Sequence, residues 1–200
     1  MSDDPYVARL HEHYAPLLRA HGDSFRALDW GSERSQQRRF RVLAEAIDDP
    51  AFSVLDVGCG MGHLTDVLDA SGHTGPYLGV DALAAMIEAA RARRPDRRFE
   101  RRTGGTEPLP PADVVVGSGL FTFADRAAVE ATVTAMFGAA RIAIAVNVLS
   151  LWGGDPSPGE FAVDPAALLA FGRTLTPWVT MRHDYLPHDC TLILRREQRP

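Results

Sequence analysis

The stretch Val54-Leu-Asp-Val-Gly-Cys-Gly-Met-Gly-His-Leu-Thr-Asp-Val-Leu68 decides the fold. Val54, Leu55 and Val57 form a short apolar run; Gly58, Gly60 and Gly62 follow at alternate positions; Leu64, Val67 and Leu68 then recur at helical spacing. The pattern reads as strand, tight turn and helix. Glycine has no Cβ and accepts positive φ, so such a turn brings backbone close to a ligand, and the helix behind it offers free N–H groups. A dinucleotide turn spaces its glycines G-x-G-x-x-G, whereas here position 63 is His and the spacing is G-x-G-x-G, with Asp56 two residues ahead.

Downstream, Tyr77 to Val80 reads as a second strand ending in Asp81, 25 residues after Asp56. A carboxylate at that strand end can accept both hydroxyls of a ribose. It can also cap a helix over Ala82 to Arg93. A short strand surrounds Phe99, and Asp113 to Gly117 is a continuous apolar strand of the fully buried kind. Asp125 caps a helix with Val129, Val133, Met136 and Phe137 facing inward, and Arg141 to Val148 is the fifth strand. Asp164-Pro165 opens another helix, with an N-cap followed by Pro at the first position. Trp178 to Leu186 and Cys190 to Arg195 are strands separated only by Pro187-His188-Asp189, too short for a parallel crossover, so they form an antiparallel hairpin. Upstream, residues 3 to 21 form an amphipathic helix through Tyr6, Leu10, Tyr14, Leu17 and Leu18. Residues 22 to 31 connect it to a second helix, capped by Ser32 and running to about Ile47, with Phe40, Leu43, Ala44 and Ile47 on its inner face.

The 200 residues suffice for one sizeable core, so a single domain is expected over 1–200, with 1–31 a lid helix and connection and 32–200 the core. Hydrophobic content of 46% with 24% charged residues is globular, and no window approaches the roughly 20 apolar residues of a membrane span. The acidic start lacks the pattern of a secretory signal, which favours the cytoplasm. Cys59 and Cys190 belong to no C-x-x-C pair, and His11 and His13 lack zinc-helix spacing, so no metal is expected. All 21 basic residues are Arg, which removes lysine chemistry. A net charge of −5 argues against a nucleic-acid partner, and the seven arginines between Arg91 and Arg102 have no aromatic stacking platform beside them.

Taken with Asp81 and the closing hairpin, the D-x-G-x-G-x-G turn resembles that of the class I S-adenosylmethionine-dependent methyltransferases, and the resemblance covers nearly the whole chain. Trp30-Gly-Ser with Gln36, Arg39 and Phe40, and the tail from Arg182 to Leu192, are similar to small bacterial members. The resemblance implies an α/β, doubly wound, Rossmann-like sheet of seven strands in the order 3-2-1-4-5-7-6, strand 7 antiparallel, with N-terminal lid helices. It implies S-adenosylmethionine as cofactor, leaving as S-adenosylhomocysteine. Asp56, Gly58, Cys59, Gly60, Gly62, Asp81, Ala82, Thr103, Gly104 and Ser118 are the expected cofactor-binding residues.

Ligands of open α/β sheets bind beyond the carboxyl ends of the parallel strands. That rim gathers Phe121, Asn147, Trp152 and Tyr185, which together with Trp30, marked by the resemblance, are the expected substrate-binding residues. The Gly/Pro-rich loop after Leu149 can cover an acceptor. Methyl transfer from a sulfonium needs alignment more than a base, so no residue is forced to be catalytic; the candidates are His188, His183 and Tyr14. The function expected is methylation of a small molecule, in secondary metabolism by analogy. The competing readings are a non-catalytic cofactor-binding module and, less favoured by the glycine spacing, a nicotinamide oxidoreductase. Acceptor identity and oligomeric state are not legible.

Overall fold

The three valines of the Asp113-to-Gly117 run, Val114, Val115 and Val116, are wholly buried in the computed structural model, at the centre of a seven-stranded sheet. The structure describes residues 5–102 and 108–198. Parallel strands covered on both faces must be continuously apolar, which is why this run carries no alternation. In chain order the elements are α1 (Pro5–His21), α2 (Glu33–Ala44), β1 (Val54–Val57), α3 (Leu64–Ala70), β2 (Tyr77–Asp81), α4 (Ala84–Arg93) and β3 (Arg98–Arg101). Then come β4 (Ala112–Ser118), α5 (Arg126–Ala139), β5 (Ala140–Leu149), α6 (Pro165–Leu175), β6 (Val179–Arg182) and β7 (Asp189–Arg195).

The strand order is β3-β2-β1-β4-β5-β7-β6, as the resemblance implies. Strands β1 to β5 pair parallel, while β7 runs antiparallel to both β5 and β6. Strand β6 is therefore parallel to the first five. Helices α5 and α6 cover one face through Val129, Val133, Met136 and Leu168. Helices α2, α3 and α4 cover the other through Phe40, Leu43, Leu64, Leu68 and Ile87. A third apolar cluster, Val7, Ala27, Met61, Leu83 and Met86, joins α1 and a 3₁₀ turn at Phe25–Leu28 to the glycine turn and the start of α4.

Local chemistry sets the ends. Ser32, Asp125 and Asp164 each accept a backbone N–H of the helix they open. Helix α2 stops at Ala44, short of Ile47, because Ala46 and Ile47 tighten into i→i−3 bonds to Leu43 and Ala44 ahead of Asp48-Asp49-Pro50. Helix α4 starts at Ala84, not Ala82, since the Asp81 carboxylate turns back to bind the Leu83 amide. The hairpin link is longer than three residues: β6 ends at Arg182, whose side chain folds onto Asp184, and residues 183–188 wrap over the rim.

The arginine run is engaged within the protein. Arg93, Arg94 and Arg97 pair with Asp66 and Asp69 of α3, and Arg102 with Glu100. Both cysteines are buried and free. Among the described residues, no helix is long and apolar enough to cross a membrane, and no group of three or more His, Cys, Asp or Glu is placed to hold a metal.

Candidate active site

Two sets of groups meet at the carboxyl rim of the sheet. The first is the glycine turn. Gly58, Gly60 and Gly62 take φ of 69°, 52° and 76°, and the Gly58 and Cys59 amides bind the Val80 carbonyl at 2.8 and 3.0 Å, clamping the turn onto β2. A Cβ on Gly60 would stand 2.9 Å from Leu28 Cδ2, so the turn needs glycine there for space as well as for conformation. Asp81, half-buried at the end of β2, accepts from the Gly60 amide at 3.0 Å and the Leu83 amide at 2.9 Å. Burial raises its pKa, against the lowering effect of those amides. Ala82 follows, its carbonyl taken by Arg101 Nε at 3.1 Å.

Asp56 lies buried beneath the turn, accepting from the Tyr77 hydroxyl at 2.7 Å, and burial pushes its carboxyl up to about 7. Burial likewise holds Cys59 as a thiol. Thr103 and Gly104 lie outside the described residues. A glycine turn with its amides clamped, closed by an oriented and partly desolvated carboxylate, suits an adenosyl ligand with a vicinal diol and a charged amino-acid end.

The first helices close over this turn. Asp23 binds His63 at 2.8 Å and Arg93 at 3.2 Å, and His13 binds Asp29 at 2.9 Å. The Tyr6 hydroxyl donates to the Leu120 carbonyl at 2.8 Å, and Arg9 Nη2 to the Gly159 carbonyl at 3.1 Å. Tyr14 of α1 packs on the Val7–Met61–Leu83 cluster, with a hydrogen bond to Thr122. Burial pushes its phenol up to about 12, so it keeps its proton at neutral pH.

The second set is polar side chains on β4, β5 and β7. Register alone aligns Ser118, Asn147 and Thr191 across three neighbouring strands. Ser118 Oγ donates to Asn147 Oδ1 at 3.3 Å. Asn147 Nδ2 donates to the Tyr185 hydroxyl at 2.6 Å and the Cys190 carbonyl at 3.3 Å, and Tyr185 pairs with Thr191 Oγ1 at 2.7 Å. Burial raises the Tyr185 pKa well above that of an ordinary phenol. Next to this chain, Arg39 forms a buried ion pair with Asp189. The Arg39 guanidinium lies 4.5 Å from the centre of the Trp30 ring.

The remaining expected residues divide between rim and core. Trp152 is exposed, its indole N–H bound to Asp164 at 3.2 Å and its ring tilted 5.3 Å from His183. His183 Nε2 is 2.7 Å from Ser150 Oγ, and His188, half-exposed, faces Asp189 at 3.5 Å. Phe121 is buried in the cluster under α5. Asp189, the last residue of the expected hairpin link, is spent on Arg39. Arg39 and Gln36, noted in the sequence only through a resemblance, prove to be buried parts of the rim. The signal was present: both fall on the apolar stripe of α2 with Phe40 and Leu43, where a polar side chain requires a reason.

Comparison with known proteins agrees with this geometry. A family model described as a methyltransferase domain matches residues 54–142, from β1 into β5. A Mycobacterium tuberculosis protein named as a methyltransferase, Rv1506c, is 30% identical over 158 residues, 74% of this chain and 95% of that protein. Trans-aconitate 2-methyltransferase of Rhizobium meliloti is 42% identical over 69 residues, 34% of this chain and 26% of the enzyme. Among solved structures, magnesium protoporphyrin IX methyltransferase from Synechocystis PCC 6803 with bound S-adenosylhomocysteine superposes with a TM-score of 0.73 at 16% identity, over 97% of this chain and 100% of that one.

Proposed function

The chain belongs to the class I S-adenosylmethionine-dependent methyltransferases, and from that premise we propose that its acceptor is a small molecule held between the glycine turn and the Asn147 network. The observation that carries the proposal is the covering of the rim. Tyr6 and Arg9 of α1 reach Leu120 and Gly159, and the Phe161 amide binds the Thr122 carbonyl at 2.8 Å, so helix and loop lie across the strand ends. A covered site excludes water and fits a metabolite better than a macromolecular surface. The trans-aconitate relative supports the same class, and a place in secondary metabolism follows by analogy with small bacterial members.

When bound, S-adenosylmethionine supplies a methyl group already activated on a sulfonium. Gly58, Gly60 and Gly62 would present backbone to its methionine half, and Asp81 would accept the ribose hydroxyls, with Ala82, Cys59 and Ser118 beside them. Asp56 holds the turn from below through Tyr77. What the protein has to add is alignment and exclusion of water. Burial raises the pKa of both Tyr14 and Tyr185, so both phenols keep their protons and neither is the base. His183 is held by Ser150, which leaves the more open His188 ring to take a proton if the acceptor carries one.

The test is transfer of a tritiated methyl group from S-adenosylmethionine into a bacterial extract. Label in the small-molecule fraction is the expected result. Label only in protein or nucleic acid overturns the acceptor class. Tight S-adenosylhomocysteine binding with no transfer to any fraction points instead to a non-catalytic module.

A further inference from the structure

The polar groups of the rim are unequally satisfied. Ser118, Asn147, Tyr185 and Thr191 close on one another. Next to them, four buried nitrogens have no partner: Trp30 Nε1, Gln36 Nε2, Arg39 Nε and Arg39 Nη1, four of the eight such side-chain atoms among the described residues. Gln36 and Arg39 are each 4% exposed and lie one turn apart on α2, on its inward face. Trp30 lies under the Arg39 guanidinium, and its ring reaches the end of β4: a Cβ on Gly119 would stand 3.2 Å from Trp30 Cζ2. The patch therefore adjoins the strand ends where the acceptor is proposed to lie.

A donor that is buried and unbonded is destabilising, so a cluster of them on one patch calls for a group that brings acceptors to it. Indole and guanidinium nitrogens are donors only, and the amide nitrogen of Gln36 adds a third source. The complementary group is one with acceptors and no donor. The charges favour an anion: Arg39 pairs with Asp189, and Arg38, the neighbouring residue, brings a second guanidinium to the rim, bound to the neutral Tyr185 carbonyl at 3.0 Å. Building on the methyltransferase reading, we infer that the acceptor is an organic acid, anchored by a carboxylate on Trp30, Gln36 and Arg39. A carboxamide of the same shape would turn an N–H toward these donors and be rejected.

The experiment is calorimetry on the full chain saturated with S-adenosylhomocysteine, titrated with succinate, glutarate, benzoate and phenylacetate and then with the matching amides. At least one acid is expected to bind ten or more times more tightly than its amide. Gln36→Met and Arg39→Lys, the latter keeping the charge opposite Asp189, should each weaken that acid about fivefold or more while leaving S-adenosylhomocysteine affinity intact. Gln36→Met also removes an unsatisfied donor, so its ligand-free melting temperature should equal or exceed the parent's; a purely structural glutamine predicts a lower one. Equal binding of acids and amides, no binding of any acid, or an acid preference that survives both substitutions overturns the inference. Failure of the folded chain to bind S-adenosylhomocysteine overturns the methyltransferase reading beneath it as well.

Discussion

The glycine-turn side of the rim is made of backbone from one strand-turn-helix-strand unit, residues 54 to 81, whereas the Arg39 side is made of side chains drawn from α2, β4, β5, β7 and the loop after β6. On the first side the partners of Asp81 are two and twenty-one positions away; on the second, Arg39 and Asp189 are 150 positions apart. Local backbone geometry gives a site that any chain with the same turn can reproduce. Long-range side-chain pairing gives one that exists only once the whole sheet has assembled, and it is the side to which the proposal assigns the acceptor.

Breaking the Arg39 side should have the largest effect on stability. Asp189→Ala leaves the Arg39 charge buried and unpaired and should cost about 3–5 kcal/mol, read as a lower urea midpoint, while the molecules still folded retain S-adenosylhomocysteine binding. Loss of both together would mean that the two sides are not separable.

Beneath the glycine turn, Asp56 makes a prediction in pH. Its folded pKa of about 7 lies above the unfolded value near 3.8, so the unfolded chain gives up this proton first. The contribution of Asp56 is full below about pH 4 and is lost as pH rises through about 7, by up to about 4 kcal/mol. The raised pKa of Asp81 acts in the same direction. Urea unfolding from pH 4 to 8 should show the decline, and Asp56→Asn should remove much of it.

Asp81→Ala should spare the fold but cost about a hundredfold in S-adenosylhomocysteine affinity, about 2.7 kcal/mol, the worth of one or two hydrogen bonds to a charged group. The reading is the loss of most of the thermal upshift the ligand gives the parent chain. The smallest effect belongs to the lid. Asp23 is exposed, so Asp23→Ala, which releases His63 and Arg93, should change stability by less than about 1 kcal/mol and lose that effect in high salt.

These contrasts also mark what the sequence made legible. The Val54-to-Leu68 turn, Asp81 and the closing hairpin carried the resemblance that implied strand order and cofactor, because glycine spacing, a strand-end carboxylate and loop length are short-range signals. Boundaries slipped where side chains redirect backbone: Asp81 delays α4, and the Arg182 fold-back lengthens the hairpin link. On the other side, Asn147 and Tyr185 were picked out by position at strand ends, and register brings them into contact. The pairing of Arg39 with Asp189 had no local trace beyond a charged residue on an apolar stripe, since only the finished sheet brings α2 to the first residue of β7.

The most direct test of the central claim is a calorimetric titration of the folded wild-type chain with S-adenosylhomocysteine, run beside Asp81→Ala and Arg39→Lys. One saturable site per chain, weakened about a hundredfold by the first substitution and unchanged by the second, is the predicted result. No binding by the wild-type chain, or equal binding by all three, would contradict it.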